Sequence, residues 1–153
     1  MTGPIFVDTN VLVYVRDRTD PEKQQRAAEW MATLWDGGAG RLSLQVLQEY
    51  YVTLTHKLDP PRSREEARDD VGTLGAWKPL PISPAVLETA WDVEDRYGLS
   101  FWDALIVGAA HHLGCAWLLS EDLQDGQEIL GIRVVNPFRH RPDDVLGGGW
   151  PSG

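Results

Sequence analysis

At 153 residues, with 42% hydrophobic content and seven tryptophans, the chain has the size and composition of one globular domain, which excludes intrinsic disorder. Its formal net charge of −9 excludes nucleic-acid affinity through bulk electrostatics, so such a partner must meet local cations, gathered at Arg16, Arg18, Lys23 and Arg26 and again at Arg62, Arg64 and Arg68. The single cysteine, Cys115, excludes an intramolecular disulfide and a cysteine-type zinc site, and no apolar run approaches the roughly 20 residues that span a bilayer; a cytoplasmic protein with no membrane partner is expected.

Ile5 to Val7 reads as a short buried strand, after which Asp8, Thr9 and Asn10 offer capping side chains to a helix through Val11 and Val15. Asp20 followed by Pro21 is an N-cap with proline at the first helical position, and Ala27, Trp30, Met31 and Leu34 carry that helix to Gly37 and Gly38. Arg41 to Leu44 predicts a second strand. Val46, Leu47, Tyr50, Tyr51, Leu54 and Leu58 then repeat at helical spacing up to Asp59-Pro60-Pro61. On this helix Gln45 and Glu49 lie one turn apart beside the apolar stripe, on a face that can look into a cleft.

Ser63 opens a capping box for a helix ending near Gly75, and Leu80 to Ile82 is a weak third strand. Ser83-Pro84 starts a helix toward Gly98. Ser100 starts another, whose apolar run from Ala104 to Ala109 predicts a central, buried element. Trp117 to Leu119 and Ile132 to Val135 complete the strands. Short strands alternating with helices predict an α/β fold, a Rossmann-like three-layer sandwich around a mainly parallel sheet. From Arg139 the chain turns polar and Gly-rich, so a domain over 1–138 is followed by a tail over 139–153, read as disordered rather than as a strap.

Four acids stand where this pattern changes direction: Asp8 after the first strand, Glu49 on the central helix, Asp103 at a helix start, and Asp122, with Asp125 close behind, after the Trp117 strand. Singly, each has an ordinary explanation as a cap, a turn or a solvated helix face. Jointly they lie where open parallel sheets gather ligands, and converging carboxylates in a water-poor cleft need a cation. Hard oxygen donors without a Cys–His pattern suit Mg²⁺ or Mn²⁺ rather than zinc. The histidines, His56, His111, His112 and His140, read as structural or surface residues, and Glu121 as an acid pointing away from the cluster.

The runs Phe6-Val7-Asp8-Thr9-Asn10-Val11-Leu12, Ser43 to Tyr51, Phe101-Trp102-Asp103-Ala104-Leu105-Ile106 and Leu119 to Gly126 resemble, in order and spacing, a PIN-domain ribonuclease, and most of all the VapC toxins of bacterial toxin–antitoxin modules. That resemblance covers roughly residues 5 to 138. It implies a PIN-like fold and a metal-dependent endoribonuclease acting on RNA. It also implies Asp8 and Asp103 as central ligands of Mg²⁺ or Mn²⁺, Glu49 and Asp122 completing the catalytic quartet, and Asp125 as a further ligand. Asn10 and Ser120 match positions that orient the aspartates and the attacking water. A homodimer and a small VapB-like antitoxin are the implied partners.

Two other readings compete. In an aspartyl phosphotransferase of the haloacid dehalogenase type Asp8 would be the nucleophile, but such sites place a second Asp two residues on, where this chain has Asn10. A catalytically inert module that keeps the fold for protein binding is disfavoured by the complete set of acids. Trp30, Trp35, Tyr50 and Tyr51 can serve a core or an interface, and Trp102 is expected to wedge the helix that carries Asp103.

Overall fold

The computed structural model describes residues 3–147. Five strands form one sheet in the order β2-β1-β3-β5-β4, where β1 is Ile5–Val7, β2 Gly40–Arg41, β3 Trp117–Leu119, β4 Glu128–Ile129 and β5 Ile132–Val135. The pairs of β1 with β2 and β3, and of β3 with β5, are parallel; only β4 runs antiparallel, at the edge. Every residue of β1 and β3 is buried, as both faces of a parallel sheet must be when helices cover them. This is the mainly parallel α/β architecture read from the sequence.

The helices are α1 (Thr9–Arg16), α2 (Pro21–Gly37), α3 (Leu44–Val52), α4 (Arg64–Leu74), α5 (Pro84–Tyr97), α6 (Phe101–His112) and α7 (Pro142–Leu146). Side chains of Asp20, Ser63, Ser83 and Ser100 cap α2, α4, α5 and α6 as expected. Gly38 and Gly98 end α2 and α5 in the left-handed conformation that only glycine adopts without strain. α6 is the buried central helix, with Ala104 through Ala110 enclosed. It approaches α5 so closely that a Cβ on Gly108 would lie 3.2 Å from the Val86 carbonyl.

Several local expectations need correction. The second strand is Gly40–Arg41, and Leu80 contributes a single parallel bridge to Ser43 rather than a strand. The helix that carries Glu49, α3, is α-helical only to Val52; Thr53–Lys57 is a π-helical turn. The β4–β5 hairpin went unseen because its two-residue turn is Leu130-Gly131, both at positive φ, where Asn-Gly would have signalled it. Residues 139–147 are not loose: α7 buries Pro142 and Val145, and Trp30 Nε1 donates to the carbonyls of Pro137 and His140 at 3.1 and 3.0 Å. The remaining expected tail, 148–153, lies outside the described residues.

Candidate active site

Strand register fixes the first acid. Val7 pairs with Leu119 across β1 and β3, so the next residues, Asp8 and Ser120, leave the same sheet edge side by side. Ser120 Oγ donates to Asp8 Oδ2 at 2.8 Å and accepts the Asp122 N–H at 3.1 Å. Asp8 Oδ1 accepts the Thr9 N–H at 2.7 Å as the cap of α1. Asn10 Nδ2 donates to Asp122 Oδ2 at 2.9 Å and lies 3.5 Å from Asp8 Oδ2, while its Oδ1 accepts the Glu121 N–H. Asp8, Asn10, Ser120 and Asp122 therefore form one hydrogen-bonded group.

Glu49 reaches this group from α3, where its Oε1 accepts from Thr9 Oγ1 at 2.9 Å. One turn earlier, buried Gln45 donates from Nε2 to the Trp102 carbonyl at 3.3 Å, which ties α3 to the start of α6 and hence to Asp103. Asp103 N–H is in turn capped by Ser100 Oγ at 3.2 Å. Thr9 and Gln45 thus link α1, α3 and α6; their signals in the sequence are adjacency to Asp8 and the one-turn offset from Glu49. Trp102 does not wedge its helix: its side chain stands in solvent, 63% exposed.

The acids feel one another. Burial pushes Asp8 from 3.8 up to about 7, against the hydrogen bonds from Ser120 and Thr9 and with help from the charges of Asp122 and Glu49. Glu49 is raised mainly by burial, opposed by the Thr9 hydrogen bond and reinforced by Asp103. Asp103 is raised by burial and, after the opposing Ser100 hydrogen bond, by Asp122. Four carboxylates from four separate stretches of sequence therefore share one electrostatic environment.

Asp125 is turned elsewhere. Its Oδ1 accepts the Asn136 N–H and its Oδ2 pairs with His140 Nε2, both at 2.8 Å, so it anchors the segment leading to α7. Glu121 points away from the cluster, as expected, to Tyr14 and Lys23. The expected cationic groups are largely consumed: Arg16 pairs with Asp70, Lys23 with Glu121, Arg26 with Glu29 and Arg62 with Glu66. Cys115 is buried, its thiol pushed up to about 12. Of the aromatic residues left open between core and interface, Trp30 and Tyr50 are core, Tyr51 is half-buried, and Trp35 is exposed.

Among the described residues no three acidic, His or Cys side chains stand together closely enough to hold a metal ion as they lie. By kind of donor the residues nevertheless fit a hard divalent cation. Asp8, Glu49, Asp103 and Asp122 offer only carboxylate oxygens, and buried Gln45 Oε1 beside them has no hydrogen-bond partner. A cleft of about 610 Å³ opens next to them between α1 and α3, lined by Asn10, Tyr14, Gln48, Glu49, Lys57 and Asp122 among others. No described helix is long and apolar enough to cross a membrane.

The sequence profile of the PIN domain family matches residues 5–124. No curated protein sequence matches the chain. Among solved structures, a toxin–antitoxin complex from Klebsiella pneumoniae superposes with a TM-score of 0.61 at 21% identity, covering 88% of this chain and 98% of that one. VapC20 of Mycobacterium tuberculosis, a sarcin-ricin-loop-cleaving toxin, gives 0.57 at 19% identity over 84% and 98%. VapBC2 from Rickettsia felis, bound to a DNA fragment from its promoter, gives 0.55 at 13% over 85% and 96%.

Proposed function

The chain belongs to the PIN-domain family, and from that premise we propose that it is a Mg²⁺- or Mn²⁺-dependent endoribonuclease, the toxin of a type II toxin–antitoxin pair. The observation that carries this reading is the hydrogen-bonded group in which Ser120 and Asn10 join Asp8 to Asp122 and Thr9 ties Glu49 to them. A buried carboxylate such as Asp8, with the charges of Asp122 and Glu49 near it, is costly unless a cation offsets it.

Asp8, Asp103, Glu49 and Asp122 would hold the ion, which when bound supplies Lewis-acid stabilisation and an activated water. The chain's own groups do the rest. Ser120 and the Thr9 N–H fix Asp8, and Asn10 fixes Asp122, so neither carboxylate has to be ordered when substrate arrives. Glu49, oriented by Thr9, is the carboxylate that would take the proton of the attacking water. Water attacks phosphorus in line and the 3′-oxygen leaves, giving 5′-phosphate and 3′-hydroxyl ends. Asp125, engaged with Asn136 and His140, joins only by giving up those contacts.

The toxin–antitoxin complex among the structural neighbours supports a small VapB-like antitoxin as partner. Exposed Leu44, Val52, Trp91 and Trp102 supply apolar surface for that contact or for a homodimer. RNA cleavage by wild type, Asp8→Asn and Asp103→Asn in Mn²⁺ and in chelator tests the reading. Cleavage confined to wild type with metal is expected, and equal activity in the variants contradicts it. A trapped phosphoenzyme at Asp8 would revive the phosphotransferase reading, and absence of any metal response would favour an inert module.

A further inference from the structure

We propose that Lys57, with Arg18 beyond it, forms a phosphate subsite at the far end of the cleft, holding the RNA backbone away from the scissile bond. The inference rests on the nuclease reading and adds where the substrate strand runs. The cleft has two helical walls. On one, Asn10, Val13, Tyr14 and Asp17 follow successive turns of α1; on the other, Glu49, Val52, Thr53 and Lys57 follow α3 and the π turn.

The π turn decides which residue ends that second wall. In an uninterrupted α-helix the face bearing Glu49 recurs at Val52 and Thr53 and then at His56, seven residues on. Here the Leu58 N–H reaches back five residues to the Thr53 carbonyl at 3.0 Å, so the turn holds one residue more. The cleft face passes to Lys57, while His56 is exposed and bonds Thr55. A cation thereby replaces an imidazole on the wall.

With about 1.5 Å of rise per residue in α3 and less in the wider π turn, Lys57 lies up to about 12 Å along the helix from Glu49, which puts it at a neighbouring phosphate and not at the scissile one. The groove continues there. Asp17 and Leu58 also border a second hollow of about 340 Å³ that Arg16, Arg18 and Arg62 line. Arg16 is held by Asp70 at 2.9 and 2.7 Å, and Arg62 by Glu66 and the Arg16 carbonyl. Among the described residues Lys57 and Arg18, both exposed, form no ion pair; Asp17 and Asp59 also line this hollow, and Asp17 Oδ1 accepts from Thr19. Two uncommitted cations at the end of a groove that starts at the acids fit an extended, single-stranded polyanion.

The test is binding of a fluorescein-labelled single-stranded RNA oligomer to the full chain carrying Asp8→Asn, which stops cleavage, read by anisotropy across a salt series. Lys57→Ala should weaken binding roughly three- to tenfold and flatten the log–log salt dependence by about 0.7, the value for one phosphate contact on a single strand. Lys57→Arg should retain binding, Arg18→Ala should weaken it, and adding His56→Lys to Lys57→Ala should not restore it. Unchanged affinity and slope in Lys57→Ala, or rescue by His56→Lys, overturns the subsite while leaving the nuclease reading intact. If the Asp8→Asn protein binds no RNA and wild type cuts none, both fall together.

Discussion

Ser120 Oγ donates to Asp8 Oδ2 across the C-terminal edge of β1 and β3, and the same oxygen accepts the Asp122 N–H. One hydroxyl therefore sets the position of two acids that lie 114 residues apart in the chain. Ser120→Ala should leave buried Asp8 without its side-chain partner. The expected cost is about 1 to 3 kcal/mol in urea unfolding, with a roughly 10- to 100-fold fall in metal affinity or activity. Wild-type stability and activity in Ser120→Ala would show that the bond does neither task.

The proton affinity of Asp8 makes a pH prediction for the metal-free protein. Its folded value, about 7, lies above the unfolded 3.8, so between those values the folded state keeps a proton that the unfolded chain releases. The associated stability is complete below the unfolded value and is lost as pH rises through about 7. In chelator, melting should move down between about pH 5 and pH 8 by the equivalent of a few kcal/mol. Asp8→Asn should remove most of that slope, and Mn²⁺ should oppose the loss at the higher pH. A slope identical in Asp8→Asn assigns it to other groups.

Thr9 Oγ1 ties α1 to Glu49 through its 2.9 Å hydrogen bond to Oε1. Thr9→Val keeps its shape and removes the donor. Cleavage should fall roughly tenfold or more with melting nearly unchanged, and Thr9→Ser should recover activity. Recovery by Thr9→Val alone would mean that Glu49 needs no orientation.

The packing of α7 is testable in isolation from the site. Val145 is 1% exposed, so Val145→Asp introduces a buried, unpaired carboxylate and should cost at least about 3 kcal/mol by denaturant midpoint. An unaffected midpoint would restore the expectation of a loose segment there.

The parts of this fold that were legible in the sequence are those governed by short-range rules. Apolar runs marked β1, β3 and β5, Ser and Asp caps marked four helix starts, and Gly38 and Gly98 marked two ends. The shared edge of Asp8 and Asp122 followed from strand ends in a parallel sheet, whereas Glu49 and Asp103 sit on helices α3 and α6. Thr9 and Gln45 were less visible because their roles depend on packing between α1, α3 and α6, which local spacing does not encode. The π turn is hidden for a similar reason: Leu54 and Leu58 fit a helical stripe, yet one extra residue in the turn moves Lys57 onto the cleft. The tail misled because its composition is polar while two residues, Pro142 and Val145, decide its burial.

On the proposed function, the four acids perform metal-dependent hydrolysis of RNA. The most direct measurement is end-group analysis of RNA fragments made by wild type and Asp103→Asn with Mn²⁺. The account predicts 5′-phosphate and 3′-hydroxyl ends from wild type, none in chelator, and none from the variant. Cyclic 2′,3′-phosphate ends, or undiminished cutting by Asp103→Asn, would contradict it.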